Sequence, residues 1–280
     1  MLRTAPVRVL EDRDLAEVLA LLERDPVTSV FVASRVHAAG LNPGRLGAEL
    51  WGYVSQGRLR SLCYSGANLI PVEATPEAVQ AFAERARAQG RRCSSIVGPS
   101  DAVGALWRLL RPHWGAPRAV RAVQPVMATS NFPRVVHDPA VRRVRPEELD
   151  VLLPACFAMF TEEVGVSPDV GDGGALYRAR VAELVHLGRA FARIEDNAVV
   201  FKAEIGAATR YACQIQGVWV EPTLRGQGLA AHGVAAVVDE ALRSVAPTVT
   251  LYVNDYNGPA KAAYHRVGFA DVGTFTSVMF

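Results

Sequence analysis

The spacing of hydrophobic residues in the C-terminal part of the chain predicts a strand, a glycine-rich turn and a helix in direct succession. The segment Gln214–Val220 carries β-branched and aromatic residues, which is typical of a strand. Between Leu229 and Ser244 the apolar residues recur at helical spacing. They are Val234, Val237, Val238, Ala241 and Leu242. The turn that joins the two elements is Arg225-Gly226-Gln227-Gly228-Leu229-Ala230.

Glycines at a turn from a strand into a helix favour the binding of an anion. Without a Cβ atom in the way, backbone N–H groups can approach the anion closely, and the positive end of the helix dipole adds to the attraction. Glycine-rich turns that bind nothing are also common, so the elements that follow must support the interpretation. We therefore treat Arg225–Ala230 as a candidate phosphate-binding loop.

The pattern after this helix predicts a second strand, a short helix and a final strand. Val249–Val253 has the composition of a buried strand. Asn254–Ala260 is a turn that leads into a short helix through Arg266, and a strand-like run then continues to Phe280. Strands and helices that alternate in this way predict a mixed α/β fold.

Two motifs in this order resemble those of the GNAT superfamily of acyl-CoA-dependent N-acyltransferases. The family pattern Arg/Gln-x-x-Gly-x-Gly/Ala is matched by Arg225, Gly228 and Ala230. The downstream pattern Asn-x-x-Ala-x-x-x-Tyr-x-x-x-Gly-Phe is matched by Asn257, Ala260, Tyr264, Gly268 and Phe269. The motifs lie within Gln214–Phe269, and the resemblance implies a family domain that starts near Val141.

Two other kinds of phosphate-binding loop fit the chain less well. Gly226-x-Gly228-x-x-Ala231 matches a Rossmann dinucleotide fingerprint with alanine in the third position. A Rossmann domain needs several further βα units, however, and the acidic residue expected about 20 residues downstream is poorly matched. A Walker A loop is excluded because no Lys-Ser/Thr pair follows the glycines.

The two halves of the chain resemble each other in the order of their elements. Arg8-Val9-Leu10 with Asp14-Leu15 aligns with Arg143-Val144-Arg145 with Glu148-Leu149, and Trp51–Leu59 aligns with Phe191–Val199. In the second alignment the hairpin turns Gln56-Gly57 and Asp196-Asn197 coincide. Val72-Glu73 and Val220-Glu221 each end a strand before a long helix. The chain is therefore predicted to contain two copies of one fold.

We predict an α/β (α+β) protein with two tandem GNAT-like domains, each a mixed, mostly antiparallel twisted sheet flanked by helices. The first domain is residues 1–129, and the catalytic domain is residues 141–280. Residues 130–140, which contain two prolines, form the predicted linker.

The first copy is predicted to have no cofactor site. Where the second copy has its glycine-rich loop, the first has Thr75, Pro76 and Glu77. Thr75 is a good N-cap, Pro76 suits the first helical position, and Glu77 would repel a pyrophosphate. Ser100-Asp101 likewise is predicted to cap the next helix. We expect this domain to have a structural or acceptor-shaping role.

The resemblance implies direct transfer of an acyl group from acyl-CoA to an amine, and it assigns the cofactor contacts. The strand before the loop would diverge from its neighbour, and backbone groups of Val218, Trp219 and Val220 would bond the pantetheine arm. Gly226, Gln227, Gly228, Leu229 and Ala230 would present N–H groups to the pyrophosphate, with added charge from Arg225. Asn257 would bond the pantetheine arm, although its position equally suits a helix N-cap.

The resemblance also implies Tyr264 as the general acid, which donates its phenolic proton to the thiolate leaving group. The general base stays open, because Gln214 and Gln216 occupy the strand on which many family members carry a glutamate. Glu204 on the preceding strand, beside Lys202, is one candidate. Glu162 and Glu163, with Asp169 and Asp172, form an acidic segment after the first helix that would suit a cationic acceptor.

Composition limits the other classes of function. The formal net charge is +2, which gives no reason to expect nucleic acid or an anionic membrane as the main partner. No apolar stretch approaches the roughly 20 residues that span a bilayer, and the N-terminus lacks the apolar core of a signal peptide. Four scattered cysteines fit no zinc motif, so we expect no metal. We expect a cytoplasmic protein, and its many arginines beside only two lysines suggest a bacterial source.

Three functions remain in competition. The main hypothesis is an acetyl-CoA-dependent N-acetyltransferase that acts on a small molecule or a protein lysine. The second is a non-catalytic acyl-CoA-binding regulatory module, suggested by the missing strand glutamate. The third is an acyltransferase that uses a longer acyl donor. The acceptor and the oligomeric state stay open.

Overall fold

The structure is a computed structural model that describes residues 6–169 and 173–280. The chain forms two compact units. The first unit comprises the chain as far as Val126, together with Tyr252–Tyr256 and Asp271–Phe280. The second unit comprises Met127–Leu251 and Asn257–Ala270.

The first unit contains five whole strands, most of a sixth and almost all of the last strand of the chain, with helices between the strands. Its elements are β1 (Val7–Val9), α1 (Leu15–Leu22), α2 (Val30–Ala39), α3 (Pro43–Leu46), β2 (Glu49–Ser55), β3 (Arg58–Ser65), β4 (Asn68–Val72), α4 (Pro76–Gln89), β5 (Ser95–Pro99) and α5 (Ser100–Trp114). The strand β6 (Ala119–Thr129) begins in this unit, and almost all of β12 (Ala270–Met279) belongs to it. The strand order is β1-β2-β3-β4-β5-β12-β6.

The second unit repeats this succession of elements. They are β7 (Arg142–Arg143), α6 (Leu149–Val164), α7 (Ala175–His186), β8 (Ala190–Glu195), β9 (Ala198–Ala208), β10 (Cys213–Val220), α8 (Leu229–Ser244), β11 (Val249–Tyr252) and α9 (Gly258–Val267). The strand order is β7-β8-β9-β10-β11. Most neighbouring strands are antiparallel, whereas β4 and β5 run parallel, as do β10 and β11. The predicted fold class is confirmed, and α8 has the predicted bounds.

The two central hairpins confirm the internal repeat. The turns Gln56-Gly57 and Asp196-Asn197 have positive φ at both residues, which is the geometry of a type I′ turn. Each hairpin also has a β-bulge at the same place after its turn: Arg60 of β3 is the extra residue opposite Tyr53 and Val54, and Val200 of β9 is the extra residue opposite Arg193 and Ile194. Because a bulge shifts the register of every later pair, its repetition at one position is evidence of one fold used twice.

A second repeated feature lies at the start of each copy. Arg8 donates two hydrogen bonds to Asp14 (2.7 and 2.6 Å), and Arg142 donates two to Glu148 (2.8 and 2.7 Å). The carboxylate in each pair also accepts the backbone N–H three residues earlier (2.9 Å). The predicted alignment of Arg8 with Arg143 is therefore wrong by one residue, because the ion pair makes Arg142 the equivalent position.

Apolar side chains pack on both faces of each set of strands. In the first unit, α1 and α2 cover one face, with Leu22 and Val36 in the core, and α4 and α5 cover the other, with Phe82 and Leu106. In the second unit, α6 and α7 supply one apolar cluster. On the opposite side α8 approaches β9 so closely that a Cβ atom on Gly233 would lie 2.6 Å from the Phe201 ring.

The last strand and the predicted linker have specific hydrogen-bonded neighbours. β12 pairs antiparallel with β5, from Phe275 opposite Pro99 to Met279 opposite Ser95. Residues 130–140 bond within the second unit: the backbone N–H of Arg134 donates to Val267 O, and that of Asp138 donates to His232 O. The compact units described above do not test where each copy of the fold begins and ends. The predicted domain limits, 1–129 and 141–280, therefore stay a prediction.

The described residues contain neither a membrane-spanning helix nor a metal-binding group. Within 6–169 and 173–280, no helix is long and apolar enough to cross a membrane. In the same residues, no three side chains of His, Cys, Asp or Glu come together as a metal-binding group.

Candidate active site

The strands β10 and β11 diverge after a short parallel contact. Their ladder contains Cys213 opposite Val249 and Gln214 opposite Thr250. On its other side, β10 pairs with β9, but the register shifts between Gln216 and Trp219. Gly217, with φ of 60°, and Val218 therefore form a bulge that one residue of β9 opposes. The divergence that the resemblance implied is present, and backbone groups at the bulge are left outside both ladders.

The loop between β10 and α8 leaves a helix N-terminus open to an anion. Gly226 and Gly228 have φ of 80° and 85°, a conformation that residues with a Cβ rarely adopt. Gly228 is the N-cap of α8, no side chain caps the helix, and its first turn holds no acidic residue. Among the described residues, the N–H groups of Gly226–Ala230 have no acceptor, and a Cβ on Gly226 would meet open space. The predicted strand, turn and helix are confirmed.

Two residues predicted for different roles meet beside this loop. Arg225 donates to both carboxylate oxygens of Glu162 (3.0 and 2.9 Å) and through Nε to Val220 O (3.0 Å). The indole N–H of Trp219 also donates to Glu162 (3.2 Å). Glu162 therefore connects the end of α6 to the start of the loop, and much of its hydrogen-bonding capacity serves these contacts.

Tyr264 is buried on α9, with 7% of its surface exposed. Its ring packs edge-on against Phe269 at 6.1 Å between centroids. Burial, with a further contribution from the negative charge of Glu163, raises the pKa of the Tyr264 hydroxyl above its ordinary value. The hydroxyl forms no hydrogen bond with any residue in the described part of the chain. It therefore keeps its proton at neutral pH.

Glu204 lies in a buried polar cluster with Lys202 and Cys156. Lys202 is fully buried and forms an ion pair with Glu204 Oε1. The Lys202 ammonium also donates to Cys156 Sγ (3.3 Å), and the Gln216 amide donates to Glu204 Oε2 (3.4 Å). Burial alone would lower the pKa of Lys202, but the charge of Glu204 and these hydrogen bonds raise it, so Lys202 is protonated.

Sequence reasoning named Lys202 only as a neighbour of Glu204 and missed Cys156. A signal was present: Lys202 is one of two lysines in the chain, and residues two apart on a strand share a face. The contribution of Cys156 could not be predicted. Cys156 is 46 residues from Lys202 in sequence, and only the packing of α6 on β9 brings the two side chains together.

The remaining candidate residues have contacts of different kinds, some within their own helix and some with the site. Asn257 caps α9 by accepting the N–H of Ala260 (3.2 Å), which realises the N-cap alternative and leaves its amide N–H₂ available. Glu163 is close enough to Tyr264 to act on its pKa. His232 bonds Val136 O, and His186 is exposed at the end of α7. Asp172 lies outside the described residues.

The corresponding region of the first copy is closed. Thr75 accepts the N–H of Ala78, which confirms the predicted cap, and Pro76 and Glu77 occupy the first turn of α4. β4 and β5 also stay close: a Cβ on Gly98 would lie 3.5 Å from Pro71 O. The prediction that Ser100 caps α5 is wrong. The helix begins at Ser100, whose hydroxyl donates to Thr274 O instead (3.1 Å).

Comparison with protein families finds two matches along the chain. Residues 181–269 match the model of the acetyltransferase (GNAT) family, a range that includes the glycine-rich loop, Glu204 and Tyr264. Residues 48–152 match the model of a domain of unknown function, DUF4081. No curated protein matches the chain.

Solved structures with the same fold cover nearly the whole chain. A GNAT-family acetyltransferase from Colwellia psychrerythraea shares 13% identity, with a TM-score of 0.60 and coverage of 98% of this chain and 99% of that one. A Drosophila protein shares 14%, with a TM-score of 0.69 and 99% of both chains. A tandem GNAT protein from the clavulanic acid biosynthesis pathway shares 15%, with a TM-score of 0.55 and 98% of both chains. At these identities the likeness establishes the fold alone.

Proposed function

Because the chain carries an acetyltransferase domain of the GNAT family, we propose that it transfers an acetyl group from acetyl-CoA directly to an amine, in a small molecule or a protein lysine. The observation that carries the proposal is the open N-terminus of α8. Two glycines with positive φ precede it, and neither a side-chain cap nor an acidic residue competes for its N–H groups. Such a terminus favours a phosphate group.

The residues of the second unit fit acetyl-CoA, which supplies an acyl group activated as a thioester. The N–H groups of Gly226, Gln227, Gly228, Leu229 and Ala230 would bind the pyrophosphate. Backbone groups of Val218, Trp219 and Val220, where β10 leaves β11, would bond the pantetheine amides, and a bulge N–H would polarise the carbonyl. Arg225 remains half exposed beside Glu162, so it can add positive charge at the edge of the loop.

Tyr264 acts as the general acid in this proposal. The raised pKa keeps its hydroxyl protonated, and that hydroxyl has no partner among the described residues. A phenol in this state can donate its proton to the sulfur atom as the bond to the carbonyl carbon breaks.

Glu204 acts as the general base, and Glu163 contributes to recognition of the acceptor. In the overall reaction the acceptor's N–C bond forms and the thioester's C–S bond breaks. The acceptor ammonium loses one proton to Glu204 and a second as the amide forms, while the sulfur gains one proton from Tyr264. Exchange with solvent restores both side chains, and one proton is released in total. The negative charge of Glu162 and Glu163 at the end of α6 favours a cationic acceptor.

Calorimetric titration with acetyl-CoA, followed by an assay of acetyl transfer, tests the proposal. We expect saturable binding at about one site per chain, because the helix terminus in the first copy is capped by its own residues. Transfer would be assayed with spermidine, an aminoglycoside and a lysine-containing peptide. Absence of binding would overturn the proposal, and two sites would show that the first copy also binds. Binding without transfer to any amine would favour the non-catalytic module, and tighter binding of a longer acyl-CoA would favour the longer donor.

A further inference from the structure

The buried cluster of Cys156, Lys202 and Glu204 has an apolar counterpart in the first copy. In the hairpin ladders, Leu62 faces Gly52 as Lys202 faces Ala192, and Tyr64 faces Leu50 as Glu204 faces Ala190. Leu22 on α1 follows Asp14 by the same number of residues as Cys156 on α6 follows Glu148, so the two are equivalent positions. Leu22, Leu62 and Tyr64 belong to one apolar cluster.

The fold therefore does not require charged residues at these positions. The first copy has the same hairpin turn, the same bulge and the same ladder register with leucine and tyrosine in place of lysine and glutamate. Removing two charges from water is costly, and buried ion pairs can often be replaced by apolar residues without loss of stability. Stability of the fold therefore gives no reason for Lys202 and Glu204 to be charged. A role in the chemistry of the site explains why they are there.

The cluster lies against the bulge of β10. A Cβ atom on Gly217 would stand 3.2 Å from the Lys202 ammonium and 3.3 Å from Glu204 Oε2. Glycine at this position leaves the approach to the carboxylate open. Lys202 holds Oε1, and the Gln216 amide holds Oε2 at 3.4 Å. The orientation of the carboxylate is therefore determined by its partners rather than by solvent.

We propose that Lys202 is a positioning residue: with Cys156 and Gln216, it keeps Glu204 ionised and directed at the Gly217–Val218 bulge, where Glu204 takes the proton of the acceptor's ammonium group. This inference rests on the proposed function and adds a residue to it. Lys202 itself cannot take that proton, because its own amine is already protonated. Its positive charge compensates the carboxylate in a place that excludes water.

The other groups that face Glu204 do not supply this charge. From α6 the Cys156 thiol lies 3.7 Å from Oε1, and burial raises its pKa to about 11, so it is neutral. From α7 the Tyr177 hydroxyl donates to Cys156 O (3.1 Å), and burial together with the charge of Glu204 raises its pKa. From β10 the nearest group is the uncharged Gln216 amide. Lys202 is the cation of this cluster.

The test uses Lys202→Met, which keeps most of the length of the side chain and removes its charge. The double variant is Lys202→Met/Glu204→Gln, in which neither charge remains. In Lys202→Met the buried carboxylate loses its compensating charge and becomes harder to ionise. With the amine that gives the highest turnover of the three probes, we expect the acidic limb of the kcat/KM profile to move upward by roughly three pH units. The affinity for acetyl-CoA should be unchanged.

An infrared measurement provides a second readout that needs no substrate. At neutral pH, Lys202→Met should show the carbonyl band of a protonated carboxyl group that both the wild type and the double variant lack. The double variant should fold, because it buries no unpaired charge. In this variant we expect kcat to fall by at least about 100-fold, and the acidic limb of the kcat/KM profile that is due to Glu204 to disappear.

Two results would overturn the inference. One is a double variant that keeps the wild-type pH profile, and the other is a folded Lys202→Met with an unmoved profile and no carboxyl band. If the wild type transferred acetyl groups to none of the three amines, the proposed function would fail. The infrared comparison would still decide whether Lys202 keeps Glu204 ionised.

Discussion

The helices α4 and α8 follow equivalent strands in two copies of one fold, and their N-termini differ in the groups that decide whether an anion can bind. At α4, Thr75 accepts a backbone N–H, Pro76 has no N–H to offer, and Glu77 adds a negative charge. The backbone N–H of Glu77 and the Thr75 hydroxyl lower the pKa of Glu77, so it is ionised at neutral pH. At α8 the corresponding loop contains Gly226 and Gly228, and the start of the helix has no side-chain cap, no proline and no acidic residue.

The difference shows how little a fold must change to lose a binding site. The turns, bulges and ion pairs that define the architecture are the same in both copies. A capped helix terminus is more stable by about 1 kcal/mol than one without a side-chain cap. The first copy has this stabilisation, whereas the N–H groups at the start of α8 have no acceptor among residues 6–169 and 173–280. The open terminus of α8 is the feature on which the proposed binding of acetyl-CoA depends.

The largest effect is expected from Gly228→Glu, which gives the second copy an acidic residue at its loop. A carboxylate at the helix terminus would oppose the pyrophosphate, and such like-charge contacts cost several kcal/mol, or roughly 1,000-fold in affinity. The matched control is Gly90→Glu, because Gly90 also has a positive φ (72°) and open space at its Cβ. Calorimetry should show acetyl-CoA binding lost in the first variant and kept in the second. Equal affinities would place the cofactor elsewhere.

Tyr264→Phe should give the next largest effect, on turnover alone. The ring that packs against Phe269 is retained, and the proton donor is removed. General acid catalysis contributes roughly 100-fold or more, so kcat should fall by that factor while acetyl-CoA affinity is unchanged. Tyr211→Phe, in the turn between β9 and β10, is the control and should leave kcat as it is. Unchanged turnover in Tyr264→Phe would remove this residue from the mechanism.

The swap Lys202→Leu/Glu204→Tyr places the residues of the first copy in the second. We expect turnover to be lost and acetyl-CoA binding to be kept. Denaturant unfolding should give an unfolding free energy between the wild-type value and about 4 kcal/mol above it, because apolar replacement of a buried ion pair is often neutral or stabilising. A large loss of stability would mean that the second copy needs the pair to fold. Activity retained in the swap would exclude Glu204 as the base.

The smallest effect concerns a feature that the copies share. The hydrogen bonds from Arg8 lower the pKa of Asp14 to about 2, and those from Arg142 and Arg145 lower the pKa of Glu148. Each carboxylate therefore stabilises the fold above its unfolded pKa, near 4, and this contribution is lost as the pH falls toward 2. Asp14→Asn and Glu148→Gln should each lower the unfolding free energy at pH 7 by about 1 kcal/mol.

Both variants should also flatten the dependence of stability on pH below about 4, where the wild type loses this contribution. Unfolding measured by circular dichroism from pH 7 to pH 2 checks the prediction. Equal effects of the two variants would support the equivalence of the copies. A pH dependence unchanged in either variant would show that its ion pair contributes nothing to stability.

The residues that could be predicted from sequence are those whose role depends on near neighbours. The type I′ turns depend on two adjacent residues, the cap of α4 on Thr75 and its next three residues, and the loop before α8 on its glycines. The error at Ser100 has the opposite cause. A serine before a helix is a good local cap, but a strand more than 170 residues away offers its hydroxyl a carbonyl oxygen instead.

The sequence by itself determined the fold class, the internal repeat, the glycine-rich loop before α8 and the resemblance of the second copy to the acetyltransferase (GNAT) family. These follow from periodicity and short motifs, in which each residue acts on neighbours a few positions away. Only the tertiary structure decided that Arg225 and Trp219 share Glu162, that Glu163 acts on Tyr264, and that Cys156 meets Lys202 beside the bulge. The reason is physical: the charges of buried groups are set by the side chains that packing brings around them, and those side chains come from distant parts of the chain.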